Sequence, residues 1–207
     1  MYQKYQTEAV VLGGRDIGEC DRAVALFTRD FGLVWARATG VRKEVSKMRC
    51  AVPLHAVAQV ALVKGKSGWR LAGAISLAAP LRAAEPSGLA VFARIAMLVT
   101  RLVTGEERNE YLYDTLVSAH TALAQNADLG RSDLPRSCEG QTFTDSSAVE
   151  LLCVARILYS LGYLSADALG TALFAHTALA EPHLTEAVAM YDPLLASVNN
   201  ALAAARV

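Results

Sequence analysis

The chain has 207 residues, and 53% of them are hydrophobic, enough for a packed core and too many for a disordered chain. Its formal net charge of zero hides a split: residues 1–80 carry 12 Lys and Arg against 6 Asp and Glu (+6), residues 81–207 carry 8 Arg against 14 Asp and Glu (−6), and every lysine lies at or before Lys66. A basic first part joined to an acidic second part points to a polyanion partner for the first, the alternative being plain compositional drift.

The predicted elements begin with β-structure. Thr7–Leu12 is a β-rich apolar run ending at Gly13-Gly14, Ala23–Thr28 is a second and Leu33–Thr39 a third. Asp30-Phe31-Gly32 supplies a tight hairpin turn between the last two. Ala51–Val63 and Trp69–Ser76 are the fourth and fifth, joined by the glycine-containing loop Lys64-Gly65-Lys66-Ser67-Gly68. Five short strands in about 75 residues is the size of an OB barrel, and an SH3-like barrel fits the same count.

After Pro80 the pattern turns helical and rich in alanine and leucine. Pro86-Ser87 starts a helix expected to run to about Thr104, with Gly105 ending it, and Asn109 caps a second that runs to about Gln125. Ser147-Ala148-Val149-Glu150 has capping-box spacing for a third, which ends at Leu161-Gly162. Two more helices are expected over 166–178 and 183–205. The polar stretch 127–145 is long for a connection inside a compact domain, and such loops tend to be functional or disordered. The expectation is an α+β chain: a five-stranded barrel over 1–80, then an all-α helical domain over 81–207 that contains the polar loop 127–145.

Catalytic signatures are missing. Gly65-Lys66-Ser67 looks like the end of a phosphate-binding P-loop, but Val60 stands where that motif needs a glycine, and the segment leads into a strand rather than a helix. No G-x-S-x-G, H-E-x-x-H or G-x-G-x-x-G occurs. His55, His120, His176 and His183 are scattered, and none has zinc spacing to Cys20, Cys50, Cys138 or Cys153. The cysteines lack C-x-x-C spacing and read as reduced thiols of a cytoplasmic protein. The opening Met1–Glu8 has no apolar core of a signal peptide, and Leu89–Val103 is broken by Arg94 and Arg101, so neither a leader nor a membrane span is expected. Asp16, Glu19 and Asp21 lie near one another as a nuclease metal cluster would, but Arg15 and Arg22 beside them point to internal charge pairing. The chain is not expected to be an enzyme.

What the first part does carry is grouped cations. Arg37, Arg42, Lys43, Lys47 and Arg49 lie in and beyond the third strand; Lys64, Lys66 and Arg70 flank the last hairpin, with Trp69 among them. A barrel with basic loops tracks a phosphate backbone, and an aromatic on it stacks bases with little regard to sequence. Trp35 and Trp69 both fit core positions, and Trp69 is the better stacking candidate because it adjoins Lys66 and Arg70. The bland reading of the cations is that loops are solvated and therefore charged. The helical part reads as a bundle core or as a groove that takes a short peptide.

These residues resemble the RecO family of bacterial recombination mediators. Glu8-Ala9-Val10-Val11-Leu12 followed by Arg15-Asp16-Ile17-Gly18-Glu19-Cys20-Asp21-Arg22 is similar to the family opening, a strand leading into an R-D-Y-G-E-x-D-R-like turn. Leu26–Gly32 resembles its L-F-T-x-x-x-G hairpin, and Ala38–Lys43 its A-K-G-A-R-R segment. Glu107–Leu116 resembles E-x-N-x-x-L-Y-x-x-L, and Arg156-Ile157-Leu158 with Leu161-Gly162-Tyr163 resembles R-L-L-x-x-L-G-Y. The resemblance covers about residues 5–165 and rests on the order and spacing of these motifs.

The resemblance implies an OB-fold followed by a helical domain. It implies binding of single- and double-stranded DNA, strand annealing, and loading of RecA onto DNA coated by the single-stranded DNA-binding protein. RecR and the acidic, hydrophobic C-terminal tail of the single-stranded DNA-binding protein are the implied partners. Arg156, on an apolar helix, is a candidate for the tail's carboxylates, with a structural ion pair as its alternative. Many family members carry a four-cysteine zinc module after the L-G-Y helix. Here Leu164-Ser165-Ala166-Asp167 follows with no cysteine after Cys153, so no zinc or other cofactor is expected. The rival to the DNA-binding reading is a non-catalytic adaptor whose barrel docks a partner protein.

Overall fold

The structure is a computed structural model that describes residues 3–46, 48–78, 81, 86–129, 146–165 and 172–205. Five strands, β1 (Lys4–Ile17), β2 (Asp21–Thr28), β3 (Gly32–Ala38), β4 (Val57–Gly65) and β5 (Gly68–Ser76), close into a barrel in the order β1-β2-β3-β5-β4. All neighbours are antiparallel except β3 and β5, which run parallel with Ala36, Arg37 and Ala38 opposite Trp69, Arg70 and Leu71. That order, with a parallel closure between the third and fifth strands, is the OB arrangement and settles the choice that strand count left open.

β1 extends past the run read from sequence. Its first half pairs with β4 and its second half with β2, and the ladder slips between Val11 and Gly13. A glycine inside a strand accommodates such a bulge, so Gly13-Gly14 bends the strand instead of ending it. The fourth strand is shorter than expected. Met48–Ala51 forms a helical turn (α1), and Pro53 and His55, which has φ of +62°, delay β4 to Val57. Period-two alternation fills the barrel: Ala9 and Val11, Val24 and Leu26, Val34 and Ala36, Val60 and Leu62, and Leu71 share one buried cluster. Each fully buried leucine or valine contributes about 1.5–3 kcal/mol.

Beyond the barrel come α2 (Pro86–Leu102), α3 (Glu110–Leu129), α4 (Ser146–Ser160), α5 (Glu181–Ala189) and α6 (Tyr191–Ala205). By packing, the chain divides into one compact unit of residues 1–80 and 96–113, and another of 81–95 and 114–207. Asn109 caps α3 as expected, its Oδ1 accepting the Leu112 N–H at 2.9 Å. α4 ends in a Schellman turn: Gly162 sits at φ +79°, Tyr163 N–H donates to Leu158 O at 2.8 Å, and Gly162 N–H to Tyr159 O at 3.0 Å.

α4 packs on α5 and α6. The last expected helix, 183–205, is two helices that meet at Met190, with Pro193 in the first turn of α6. The helix expected over 166–178 is not seen where it is described: only Ala172–Phe174 makes a 3₁₀ turn, and 130–145 of the polar loop and 166–171 lie outside the described residues.

Candidate nucleic-acid interface

Strand alternation decides which side chains meet solvent. On β3, Val34, Ala36 and Ala38 point into the barrel while Trp35 and Arg37 point out; on β5, Trp69 and Leu71 point in and Arg70 out. The parallel register sets Arg37 beside Arg70. Trp35 is 47% exposed, and the Arg15 guanidinium lies 5.8 Å from its ring centre. Lys66 is exposed in the two-residue turn between β4 and β5. The face of β2 and β3 and the β1–β2 and β4–β5 loops are the surface with which OB barrels hold oligonucleotides.

Carboxylates neutralise part of this charge. Arg37 donates from Nε (3.0 Å) and Nη2 (2.7 Å) to Asp21 Oδ2, and the Gly40 N–H donates to Asp21 Oδ1 at 2.8 Å. The Gly40 N–H first and then Arg37 hold the Asp21 carboxyl below its ordinary 3.8. Arg42 Nε lies 3.6 Å from Asp16 Oδ2, and its Nη1 donates to Gly18 O at 3.2 Å. Lys64 Nζ donates to Glu106 Oε2 at 2.8 Å. Lys43, Arg49, Lys66 and Arg70 enter no ion pair among the described residues. The pairs that do exist reach solvent, where such pairs contribute little, so a phosphate can displace them.

Two of the expected site residues are not at the surface. Trp69 is 5% exposed, packed in the barrel core against Tyr5 and Phe31, with ring centres 5.6 and 5.3 Å away. Its Nε1–H donates to Glu106 Oε1 at 2.7 Å, and Lys64 lies over its ring at 5.0 Å. It offers no face to a base; the exposed indole is Trp35. The alternation Val34-Trp35-Ala36-Arg37-Ala38, which puts Trp35 on the side of Arg37, carried that signal in the sequence.

Arg156 is wholly buried on α4. It donates to the carbonyls of Leu173 (3.0 Å), Thr177 (2.9 Å) and Ala178 (3.1 Å), so it fastens the 172–178 segment to α4 rather than waiting for a partner's carboxylates. Lys47 lies outside the described residues.

A cavity of about 250 Å³ opens at the barrel mouth, lined by Arg22, Arg42 and Arg49 over Val24, Val41 and Val52. Arg22 was not among the expected residues. Its parity with Val24 turns it inward at the start of β2. Gly14 makes room for it, since a Cβ there would come within 2.8 Å of Arg22 Nε.

Known proteins fit this barrel. Residues 1–74 match the family described as recombination protein O, N terminal. A segment of 117 residues, 56% of the chain, is 33% identical to the DNA repair protein RecO of Gloeothece citriformis and covers 41% of that protein. The barrel is thus similar to the N-terminal domain of RecO proteins. The RecO of Desulfitobacterium hafniense is 43% identical over 63 residues (30% of the chain, 23% of that protein), and that of Synechocystis sp. 42% over 67 residues (32% and 25%). The matches therefore span less than half of each RecO relative.

The zinc module found in many RecO proteins has no donor set among the described residues. Cys153 is buried on α4 with its thiol pushed up to about 12 by desolvation, Cys20 lies in the β1–β2 turn and Cys50 on α1, and no group of three His, Cys, Asp or Glu side chains converges among the described residues. No helix of the described residues is long and apolar enough to cross a membrane.

Proposed function

We propose that this RecO-like chain binds single- and double-stranded DNA on its barrel, anneals complementary strands, and performs no covalent chemistry. The observation that carries the reading is an OB barrel on which Lys43, Arg49, Lys66 and Arg70 enter no ion pair among the described residues, together with an exposed indole at Trp35. Cations that neutralise phosphates on two strands lower their mutual repulsion, so complementary bases can meet and pair. Trp35 adds a sequence-tolerant stacking platform. The names of the RecO relatives, DNA repair proteins, agree with this chemistry. In that setting the chain, in the cytoplasm, helps load RecA onto DNA coated by the single-stranded DNA-binding protein, with RecR and that protein's C-terminal tail as partners.

Fluorescence anisotropy of labelled DNA at two salt concentrations tests the reading. If four cations each neutralise one phosphate, affinity falls roughly 50-fold for single strands and roughly 150-fold for duplex between about 50 and 200 mM salt. Absence of binding at low salt, or a flat response, gives the lead to the adaptor reading, in which the barrel docks a protein.

A further inference from the structure

The mouth of the barrel is built differently from its outer face. There Arg22, Arg42 and Arg49 surround a concave cavity with an apolar floor of Val24, Val41 and Val52. Arg22 and Arg42 share one carboxylate, Asp16, at 3.7 and 3.6 Å, and Arg49 has no ion-pair partner among the described residues. Three guanidiniums facing one carboxylate leave a surplus of two positive charges. The Arg22 Nε–H is buried and has no hydrogen-bond acceptor among the described residues, because Asp16 Oδ1 at 3.7 Å is beyond reach. Gly14 lets that guanidinium approach the β1 backbone, since a Cβ there would come within 2.8 Å of Arg22 Nε and 3.4 Å of its Cζ.

The geometry points to a socket for a phosphate monoester at the end of a nucleic-acid strand. A terminal monoester carries close to two negative charges at neutral pH, matching the surplus, and presents three strong acceptor oxygens to a guanidinium fork. An internal phosphodiester carries one charge and continues on both sides, which suits an open groove better than a floored cavity. The source of the phosphate rests on the DNA-binding reading above; the charge and shape of the socket do not.

Two measurements on the full chain separate the two. Calorimetric titration with thymidine 5′-monophosphate and with thymidine reads the socket without any DNA. Anisotropy with short single-stranded oligonucleotides carrying a terminal phosphate or a terminal hydroxyl reads the strand end. The monophosphate binds and thymidine does not. The phosphorylated oligonucleotide binds about tenfold tighter than its hydroxyl twin, the equivalent of one charge-assisted hydrogen bond.

Arg49→Ala abolishes that difference, whereas Arg70→Ala, on the outward face of β5, weakens both oligonucleotides alike and keeps their ratio. Arg49 is exposed on a four-residue helix, so the variant is expected to fold, and circular dichroism checks it. Equal, salt-sensitive binding of the two oligonucleotides overturns the socket and leaves DNA binding standing. A phosphate preference that survives Arg49→Ala puts the site elsewhere and also overturns it. If neither oligonucleotide binds, the DNA reading and the strand-end assignment fall together, and a monophosphate that still binds marks the cavity as a free-nucleotide site.

Discussion

Glu106 holds two groups at once, and replacing it separates them. Its Oε1 accepts the Trp69 indole N–H at 2.7 Å and its Oε2 accepts Lys64 Nζ at 2.8 Å. Trp69 is 5% exposed, so Glu106→Ala leaves an N–H in the barrel wall without an acceptor, a cost of about 1–3 kcal/mol. The Lys64 pair is about half exposed on both sides and adds roughly 0–1 kcal/mol. Glu106→Gln keeps an amide oxygen for the indole and gives up only the charge, so it is expected to cost under about 1 kcal/mol.

Thermal unfolding followed by tryptophan fluorescence measures both variants, with Tm lowered by about 2–4 °C per kcal/mol. The Lys64 hydrogen bond, and after it the indole, hold the Glu106 carboxyl below its ordinary 4.5. A carboxylate with a depressed value stabilises the fold above its unfolded value and loses that contribution as pH falls through the folded one. The gap between wild type and Glu106→Ala therefore narrows as pH drops below about 4.5. Equal destabilisation by the alanine and glutamine variants would refute the indole bond as the main contribution.

Trp35→Ala removes an exposed ring, so Tm is expected to move little while single-stranded DNA affinity falls by about 1–3 kcal/mol in anisotropy titrations; unchanged affinity removes Trp35 from the interface. Gly32 and Gly18 have the same φ, +63° and +60°, but a Cβ at Gly32 would overlap the Glu107 carbonyl oxygen whereas one at Gly18 meets nothing within 4 Å. Gly18→Ala should cost only the left-handed strain, about 1–2 kcal/mol, and Gly32→Ala distinctly more in the same denaturation assay; equal costs would mean that the close approach to Glu107 is unimportant. Arg156→Met leaves three carbonyls without their guanidinium donor, at about 1–3 kcal/mol, and should expose 172–178 to limited proteolysis without changing DNA affinity; unaltered cleavage there contradicts the fastening role.

The barrel was legible because its physics is local. Alternating apolar residues and glycine-bearing turns mark the strands, and Thr28 and Gly32 close the 28–32 hairpin where the sequence put it, with Phe31 N–H donating to Thr28 Oγ1 at 3.0 Å. What sequence could not supply was which cations meet carboxylates. Glu106 lies 37 residues from Trp69, and its bond to that indole turns a residue flanked by Lys66 and Arg70 from a surface candidate into a core one. Arg156 misled for a similar reason. An arginine on an apolar helix looks like a ligand-binding charge until the carbonyls at 173, 177 and 178, contributed by a segment that a helical pattern seemed to claim, are seen to surround it. The α5–α6 break was legible in principle, since Pro193 disfavours a continuous helix through Met190.

Asp21 couples the stability of the barrel to its charge. Its carboxylate ties the Gly40 N–H, just past β3, to the start of β2 and at the same time neutralises Arg37 on the outer face beside Arg70. Because the Gly40 N–H and Arg37 hold its carboxyl below 3.8, the stability it adds is present above that value and lost as pH falls through the lower folded one. The same protonation frees Arg37, so fold and DNA affinity should respond in opposite directions. Asp21→Asn produces the freed Arg37 at neutral pH: the amide oxygen still accepts from Gly40, while the charge opposite Arg37 is gone. The variant is expected to bind single-stranded DNA more tightly with a steeper salt dependence, the slope growing by about 0.7 for one further phosphate contact. Its Tm should also change less than that of wild type on acidification through this range. If Asp21→Asn leaves the salt slope unchanged, Arg37 does not face the phosphates, and the interface must be confined to the cations that enter no ion pair among the described residues.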